Sequence, residues 1–147
     1  MIAILQRVTS AQVYINEKIY NKINKGLLIF LGISQDDTKE DIKYLINKII
    51  ELRIFNDINN KMNLSITNIK GDILVVSQFT LLANTKRGRR PSFTGSANPN
   101  LAKQLYDLFL DKIKTYDLNV KTGKFGALMD VKLTNNGPAT FILNSKD

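Results

Sequence analysis

Two short segments hold most of the chemically useful groups in this chain: Ser77-Gln78-Phe79-Thr80-Leu81 and Asn135-Asn136-Gly137-Pro138-Ala139-Thr140. They stand in a sequence of 147 residues that has no His, no Cys and no Trp. A side-chain triad built on histidine is therefore excluded, and thiolate chemistry, disulfides and Cys-based zinc sites go with it. Ser77, Gln78, Phe79 and Thr80 offer two hydroxyls, an amide and several backbone N–H groups. Such groups suit the oxyanion of an ester-cleaving reaction. The proton acceptor is what is missing. An N-terminal threonine can use its own amine as base, but Thr80 is interior. The site could still work if the substrate brought its own hydroxyl, because alignment alone can lower a barrier by about 7–11 kcal/mol. On spacing alone, the same residues also read as a polar strand end with an inward Phe79.

Other segments carry weaker signals. Asn136-Gly137-Pro138 is ordinarily a turn; held rigid, it could present two neighbouring carbonyls to an ammonium group. Lys86, Arg87, Arg89 and Arg90 place four cations around Gly88, a pattern that suits phosphate oxygens but also a solvated loop. Gly123-Lys124-Phe125-Gly126-Ala127 sets an aromatic between glycines, either a stacking platform for a base or a core Phe in a tight strand. Asp36-Asp37 and Glu40-Asp41 sit at a helix start, where capping and the helix dipole account for them. No Gly-rich phosphate loop of the GxxxxGK type is present.

These motifs need elements to position them. Ile2 to Arg7 and Ala11 to Ile15 alternate with a period of two, and Asn16-Glu17-Lys18 turns the chain into a hairpin. Gly26 to Ile33 is an apolar run between glycines, the pattern of a strand buried on both faces. Thr38 starts a helix with Asp41 as an acidic capping-box partner, and Ile42, Leu45, Ile46, Ile49 and Ile50 form its buried stripe. Asp57 to Asn63 reads as a polar loop, and Gly71-Asp72 leads into the short strand Ile73 to Val76 that ends at Ser77. Asn98-Pro99 opens a second helix with Leu101, Leu105, Leu108, Phe109 and Ile113 as its apolar stripe, interrupted by Lys112. Met129, Val131 and Leu133 alternate with polar residues; Gly137-Pro138 is expected to break that strand before Phe141 to Leu143 resumes it. Many strands and two segregated helices predict an α+β fold, mainly antiparallel and barrel-like, in a single domain over 1–147.

Composition sets the outer bounds. Twenty-one Lys and Arg against thirteen Asp and Glu leave a net charge of +8, which favours a polyanionic partner. A chain of this length buries roughly 70% of its unfolded surface. Met1 to Arg7 does not read as a signal peptide, no apolar run reaches the length of a membrane span, and the cytoplasm is the expected location.

Taken together, the segments resemble the D-aminoacyl-tRNA deacylase family over essentially the whole chain. SQFTL at 77–81 and NxGPxT at 135–140 are intact, and Arg89-Arg90-Pro91-Ser92-Phe93 and Gly123 to Ala127 look like the family as well. The resemblance implies hydrolysis of the ester joining a D-amino acid to the 3′-terminal adenosine of tRNA, with glycyl-tRNA also accepted. It implies a homodimer in which a cis Gly137-Pro138 bond enters the partner's pocket and excludes L side chains. No metal or cofactor is expected. Catalysis would rest on Ser77, Gln78, Phe79 and Thr80, with backbone N–H groups of Phe79 and Thr80 on the oxyanion and the terminal ribose 2′-hydroxyl assisting; Thr80 as nucleophile is the alternative. Substrate binding would fall to Asn135, Gly137, Pro138, Phe125 and Met129, with Arg7 holding the Gly-Pro motif. From their charge and position rather than from the resemblance, Lys86, Arg87, Arg89 and Arg90 are expected to face RNA phosphates.

Overall fold

A computed structural model describes residues 1–147. The elements are β1 (Ile2–Ile15), β2 (Lys18–Ile23), β3 (Gly26–Gly32), α1 (Lys39–Glu51), β4 (Phe55–Asn56), β5 (Met62–Leu64), β6 (Asp72–Ser77), α2 (Pro99–Ile113), β7 (Val120–Thr122) and β8 (Asp130–Asn144). A single 3-10 turn, Phe79–Leu82, follows β6.

β1 is the axis of the sheet. Along one edge it pairs with β8 from Ile2 to Tyr14. The other edge is shared by β3, opposite Ile2 to Val8, and β2, opposite Ala11 to Ile15. All three pairings are antiparallel. The β1–β2 turn uses Asn16 and Glu17 at φ 49° and 63°, the pair of positive values a two-residue hairpin needs to match strand twist. β6 and β7 then extend the sheet in parallel beyond β3, a feature that periodicity does not reveal. The sheet curls until β2 approaches β7, where Asn21 Nδ2 donates to the Thr122 carbonyl at 2.6 Å, giving a nearly closed barrel.

The curl explains why β3 and β6 are apolar without alternation. Leu27, Ile29, Leu31, Ile73 and Val75 face α1 and α2 in the larger core, while Leu28, Leu74 and Val76 join Val8, Val13 and Ile23 inside the barrel. Each fully buried Ile or Leu contributes about 1.5–3 kcal/mol relative to exposure. On α1 the buried apolar set is Ile42, Leu45, Ile46, Ile49 and Ile50, matching the sequence periodicity. On α2 it is Leu105, Tyr106, Phe109, Leu110 and Ile113; Leu101 and Leu108 are only partly buried. The polar Tyr106 enters that stripe because its hydroxyl finds the Val75 carbonyl at 3.0 Å. Asn98 caps α2, its Oδ1 accepting the Leu101 N–H at 3.0 Å.

β8 does not stop at Gly137-Pro138. It runs on as one strand, and the irregularity is absorbed by a bulge. Gln6 faces Thr140 and Val8 faces Asn135, so Asn136, Gly137, Pro138 and Ala139 crowd opposite the single residue Arg7. The strand stays in one ladder because β1 continues beneath it on both sides of the bulge.

At the start of α1 lies a polar cluster. Asp37 accepts the Met1 ammonium at 2.5 Å and the Ser34 N–H at 2.7 Å. Asp41 accepts the Thr38 N–H at 2.7 Å, the Ser145 hydroxyl at 2.7 Å and Lys146 Nζ at 3.0 Å. Burial pushes the Asp41 carboxyl up, but the bonds from Ser145, Lys146 and Thr38 outweigh it and hold the group well below the usual carboxylate range. Its folded value lies below the unfolded value of about 3.9. The stabilisation is thus complete above that pH and is lost as pH falls toward the folded value. Urea midpoints measured from pH 7 to pH 2 should drop below about pH 4 in the parent chain, and Asp41→Asn should lower the midpoint at pH 7 while flattening that acid limb.

Candidate active site

The end of β6 is where the first motif leaves the sheet. Gln78 remains tied to β3 through its N–H, which donates to the Leu31 carbonyl at 2.9 Å. The chain then winds into the 3-10 turn at Phe79–Leu82. Gly32 makes this possible: a Cβ there would lie 2.5 Å from Leu82 Cδ2 and 3.1 Å from the Gln78 carbonyl oxygen. The first N–H groups of such a turn have no partner inside it. Those of Phe79 and Thr80 donate to no loop carbonyl either. Two adjacent backbone donors are left free beside a cavity.

That cavity, of about 540 Å³, is lined by Ser77, Gln78 and Phe79 on one side and by Phe125 to Met129 on the other, with Ser96, Ala97, Pro99 and Ala102 from the segment entering α2. Val76, Val131 and Ile33 form the remaining wall, and none of the lining residues carries an ionisable side chain. Phe125 packs its ring against Tyr106 at 5.5 Å between centroids, so it belongs to both core and cleft. Burial pushes the Tyr106 phenol up, which keeps it protonated as a donor to Val75 beneath the cleft. Met129 is held by the Lys124 N–H, which donates to its Sδ at 3.3 Å; any Cβ at Gly123 would meet that sulfur at 2.9 Å.

Ser77, Gln78, Phe79, Phe125 and Met129 are thus brought together. Thr80 is not among the lining residues, and its hydroxyl accepts from the Gln78 side-chain amide. Sequence reading missed Ser96, which lines the cleft and donates from Oγ to the Phe79 carbonyl at 3.3 Å. It also missed Phe93, whose ring meets Phe79 edge-on at 4.9 Å, and Leu128, 95% exposed at the rim. A lone Ser or Leu in a loop carries no periodic signal.

Gly137, Pro138, Asn135 and Arg7 form a second constellation, outside the lining of this cleft. Asn136, Gly137 and Pro138 are exposed, and the Gly137-Pro138 peptide is cis. Asn135 and Thr140 bracket the bulge: Asn135 Nδ2 donates to Thr140 Oγ1 at 2.8 Å, and the Ala139 N–H donates to Asn135 Oδ1 at 2.8 Å. Beneath lies Arg7, buried, with Nε donating to the Asn136 carbonyl at 2.9 Å. Its Nη1 donates to the Ile54 carbonyl at 2.8 Å and to Asn56 Oδ1 at 3.1 Å. Lys86, Arg87, Arg89 and Arg90 form an exposed loop that also lies outside the cleft lining.

Gly137 adopts φ +131°, and a Cβ there would stand 2.8 Å from Arg7 Nη2. Gly137→Ala therefore combines an unfavourable backbone region with displacement of the guanidinium, and urea unfolding should show a loss of about 1–3 kcal/mol. An unchanged midpoint would mean that the bulge can relax away from Arg7.

Comparison with known proteins bears on the family and the fold. A family profile described as D-Tyr-tRNA(Tyr) deacylase matches residues 4–144. A D-aminoacyl-tRNA deacylase of Thermosipho melanesiensis is 56% identical, covering 99% of this chain and 98% of its own. One from Aquifex aeolicus is 52% identical over 100% of this chain and 99% of its own. Among solved structures, the c-Myc DNA Unwinding Element Binding Protein superposes with a TM-score of 0.93 at 37% identity, covering 98% of both chains. A probable eukaryotic D-amino acid tRNA deacylase shares the fold alone, at TM-score 0.86 and 18% identity over 97% of both chains. With the profile spanning nearly the whole sequence and relatives above half identity over the same length, the chain belongs to the D-Tyr-tRNA(Tyr) deacylase family of hydrolytic enzymes.

Proposed function

We propose that this protein hydrolyses the ester of D-aminoacyl-tRNA, and of glycyl-tRNA, to free amino acid and tRNA, and that it acts in the cytoplasm as a homodimer. The observation that carries the reading is the cleft itself: two free backbone donors at Phe79 and Thr80 beside a cavity with no ionisable side chain. Donors of this kind match the charge that develops on an ester carbonyl oxygen, and one such donor is worth about 2.7–4 kcal/mol in the transition state. An apolar cavity flanked by Phe125 and Met129 suits the terminal adenine.

No protein group in the cleft can take the proton of an attacking water. The reading assigns that assistance to the 2′-hydroxyl of the terminal ribose, held next to the scissile ester by binding alone. Thr80 as nucleophile is the weaker alternative, because its hydroxyl is bonded to the Gln78 amide and no base stands near it among the cleft residues.

Chirality is assigned to Gly137 and Pro138. Their carbonyls would accept the substrate's α-amino group and leave no space for an L side chain, a discrimination achieved by exclusion. Because they lie outside the lining of the cleft in their own chain, they would serve the pocket of the partner subunit, with Asn135 and Arg7 holding the bulge in shape.

A second reading is favoured by the name of one structural relative, a DNA-element binding protein, together with the basic loop: nucleic-acid binding without turnover. Deacylation of matched D-tyrosyl- and L-tyrosyl-tRNA at catalytic protein concentration separates the two. Loss of the D ester alone is expected. Sparing of both with tRNA still bound would establish the binding module, and cleavage of both would remove Gly137-Pro138 from the selectivity step. With a 2′-deoxy terminal adenosine, binding should persist while the rate falls by about 10²–10⁴, the usual worth of a positioned proton-transfer group; normal turnover would refute RNA assistance. Thr80→Ala should keep most activity, and its complete loss in a folded variant would restore Thr80 as nucleophile.

A further inference from the structure

Four cations stand beside the cleft, and the chain uses none of them for itself. Lys86, Arg87, Arg89 and Arg90 are exposed, and the ion pairs of the protein lie elsewhere, at Met1, Lys103 and Lys146. The loop is nonetheless built. Its two ends exchange hydrogen bonds, the Asn84 N–H to the Ser92 carbonyl at 2.7 Å and the Ser92 N–H to the Asn84 carbonyl at 3.0 Å. Within it the Lys86 N–H donates to Asn84 Oδ1 at 3.0 Å. Gly88 takes φ +68° at the tip, with open space around it, so Lys86 and Arg87 lie on one side of the turn and Arg89 and Arg90 on the other.

The base of this loop is fastened to the cleft wall. Phe93 packs on Phe79, and Ser96 holds the Phe79 carbonyl. At about 3.3–3.6 Å per residue, Arg90 lies within roughly 11 Å of Phe93 along the chain. The cleft lining has no cation, so whatever holds a polyanion there must lie outside it. The loop itself contains no aromatic residue, which removes base stacking and leaves phosphate contact through the arginine forks.

We propose that loop 86–90 is a phosphate clamp for the single-stranded RNA leading into the cleft, gripping the backbone just upstream of the terminal nucleotide. The proposal rests on the aminoacyl-tRNA reading above. It supplies affinity common to every tRNA, since phosphates carry no sequence.

The test compares two variants of equal net charge: Lys86→Gln/Arg87→Gln/Arg89→Gln/Arg90→Gln in the loop, and Lys39→Gln/Lys43→Gln/Lys48→Gln/Lys114→Gln on the exposed faces and ends of the helices. Binding of uncharged tRNA is measured against salt, and hydrolysis is measured on D-tyrosyl-tRNA and on the D-tyrosyl ester of adenosine. The loop variant should bind tRNA tenfold or more weakly at 0.1 M salt, with a log–log salt slope shallower by about 0.7 for each phosphate that the loop no longer neutralises. Its KM for D-tyrosyl-tRNA should rise in step, and its loss on the adenosine ester should be at least tenfold smaller. The helix variant should bind tRNA within about threefold of the parent, because screening over a Debye length of about 10 Å confines the effect to nearby charges. Equal weakening in both variants, an unchanged salt slope in the loop variant, or equal losses on the two substrates would each overturn the clamp. Binding of uncharged tRNA is read without turnover, so loop-dependent binding with no hydrolysis of either ester would sink the deacylase reading and leave the clamp standing.

Discussion

A single buried guanidinium organises the bulged side of the sheet. Arg7 lies in β1 opposite the β8 bulge, and no carboxylate offsets its charge there. It is satisfied by oxygens alone: the carbonyls of Ile54 and Asn136 and the side chain of Asn56. A buried cation without such partners would be costly, so the three acceptors and the guanidinium define one another's positions. The segment after α1, the β4 edge and the Gly137-Pro138 bulge are all referred to one planar, five-donor group. Lysine could not replace it, since an ammonium presents a point charge with no fixed fork.

The cleft depends on backbone rather than side-chain groups. Strands β3 and β6 are buried on both faces, which fixes the height at which β6 ends. The 3-10 turn that follows is pressed against Gly32 on one side and tied to Ser96 on the other. Rigid packing below thus orients peptide groups above. The catalytic reading needs that orientation, because a donor contributes most when it requires no reorganisation as charge develops.

Much of this was legible in the sequence, and what was not has identifiable causes. Period-two alternation revealed β1 and the outer half of β8, the capping residues located both helices, and two motifs marked the two constellations. The parallel pairing of β6 with β3 and β7 was hidden, because a strand buried on both faces has no alternation to read. Gly137-Pro138 read as a break; in the fold the ladder passes it, since β1 supports β8 on either side. Tyr106 was overlooked in the α2 stripe because its buried status depends on a carbonyl thirty-one residues away in sequence. Ser96 and Phe93 entered the site only through contacts made after folding. The motif residues themselves divided: Gln78 and Phe79 reached the cleft lining, while Thr80 turned away to bond Gln78.

The two free donors at the head of the 3-10 turn belong to the main chain, and this has a consequence for how such a protein drifts over generations. A side chain that does chemistry is lost by one codon change. A peptide N–H survives every substitution at its own position except proline, so mutation can reach it only by moving the backbone. On the proposed catalytic reading, the information that selection must keep sits in the supports: Gly32 under the turn, Ser96 beside it, and the apolar strands that set its height. Sequence divergence at Thr80, whose side chain lies outside the cleft lining, would say little about lost activity, and a Cβ added at Gly32 would say a great deal.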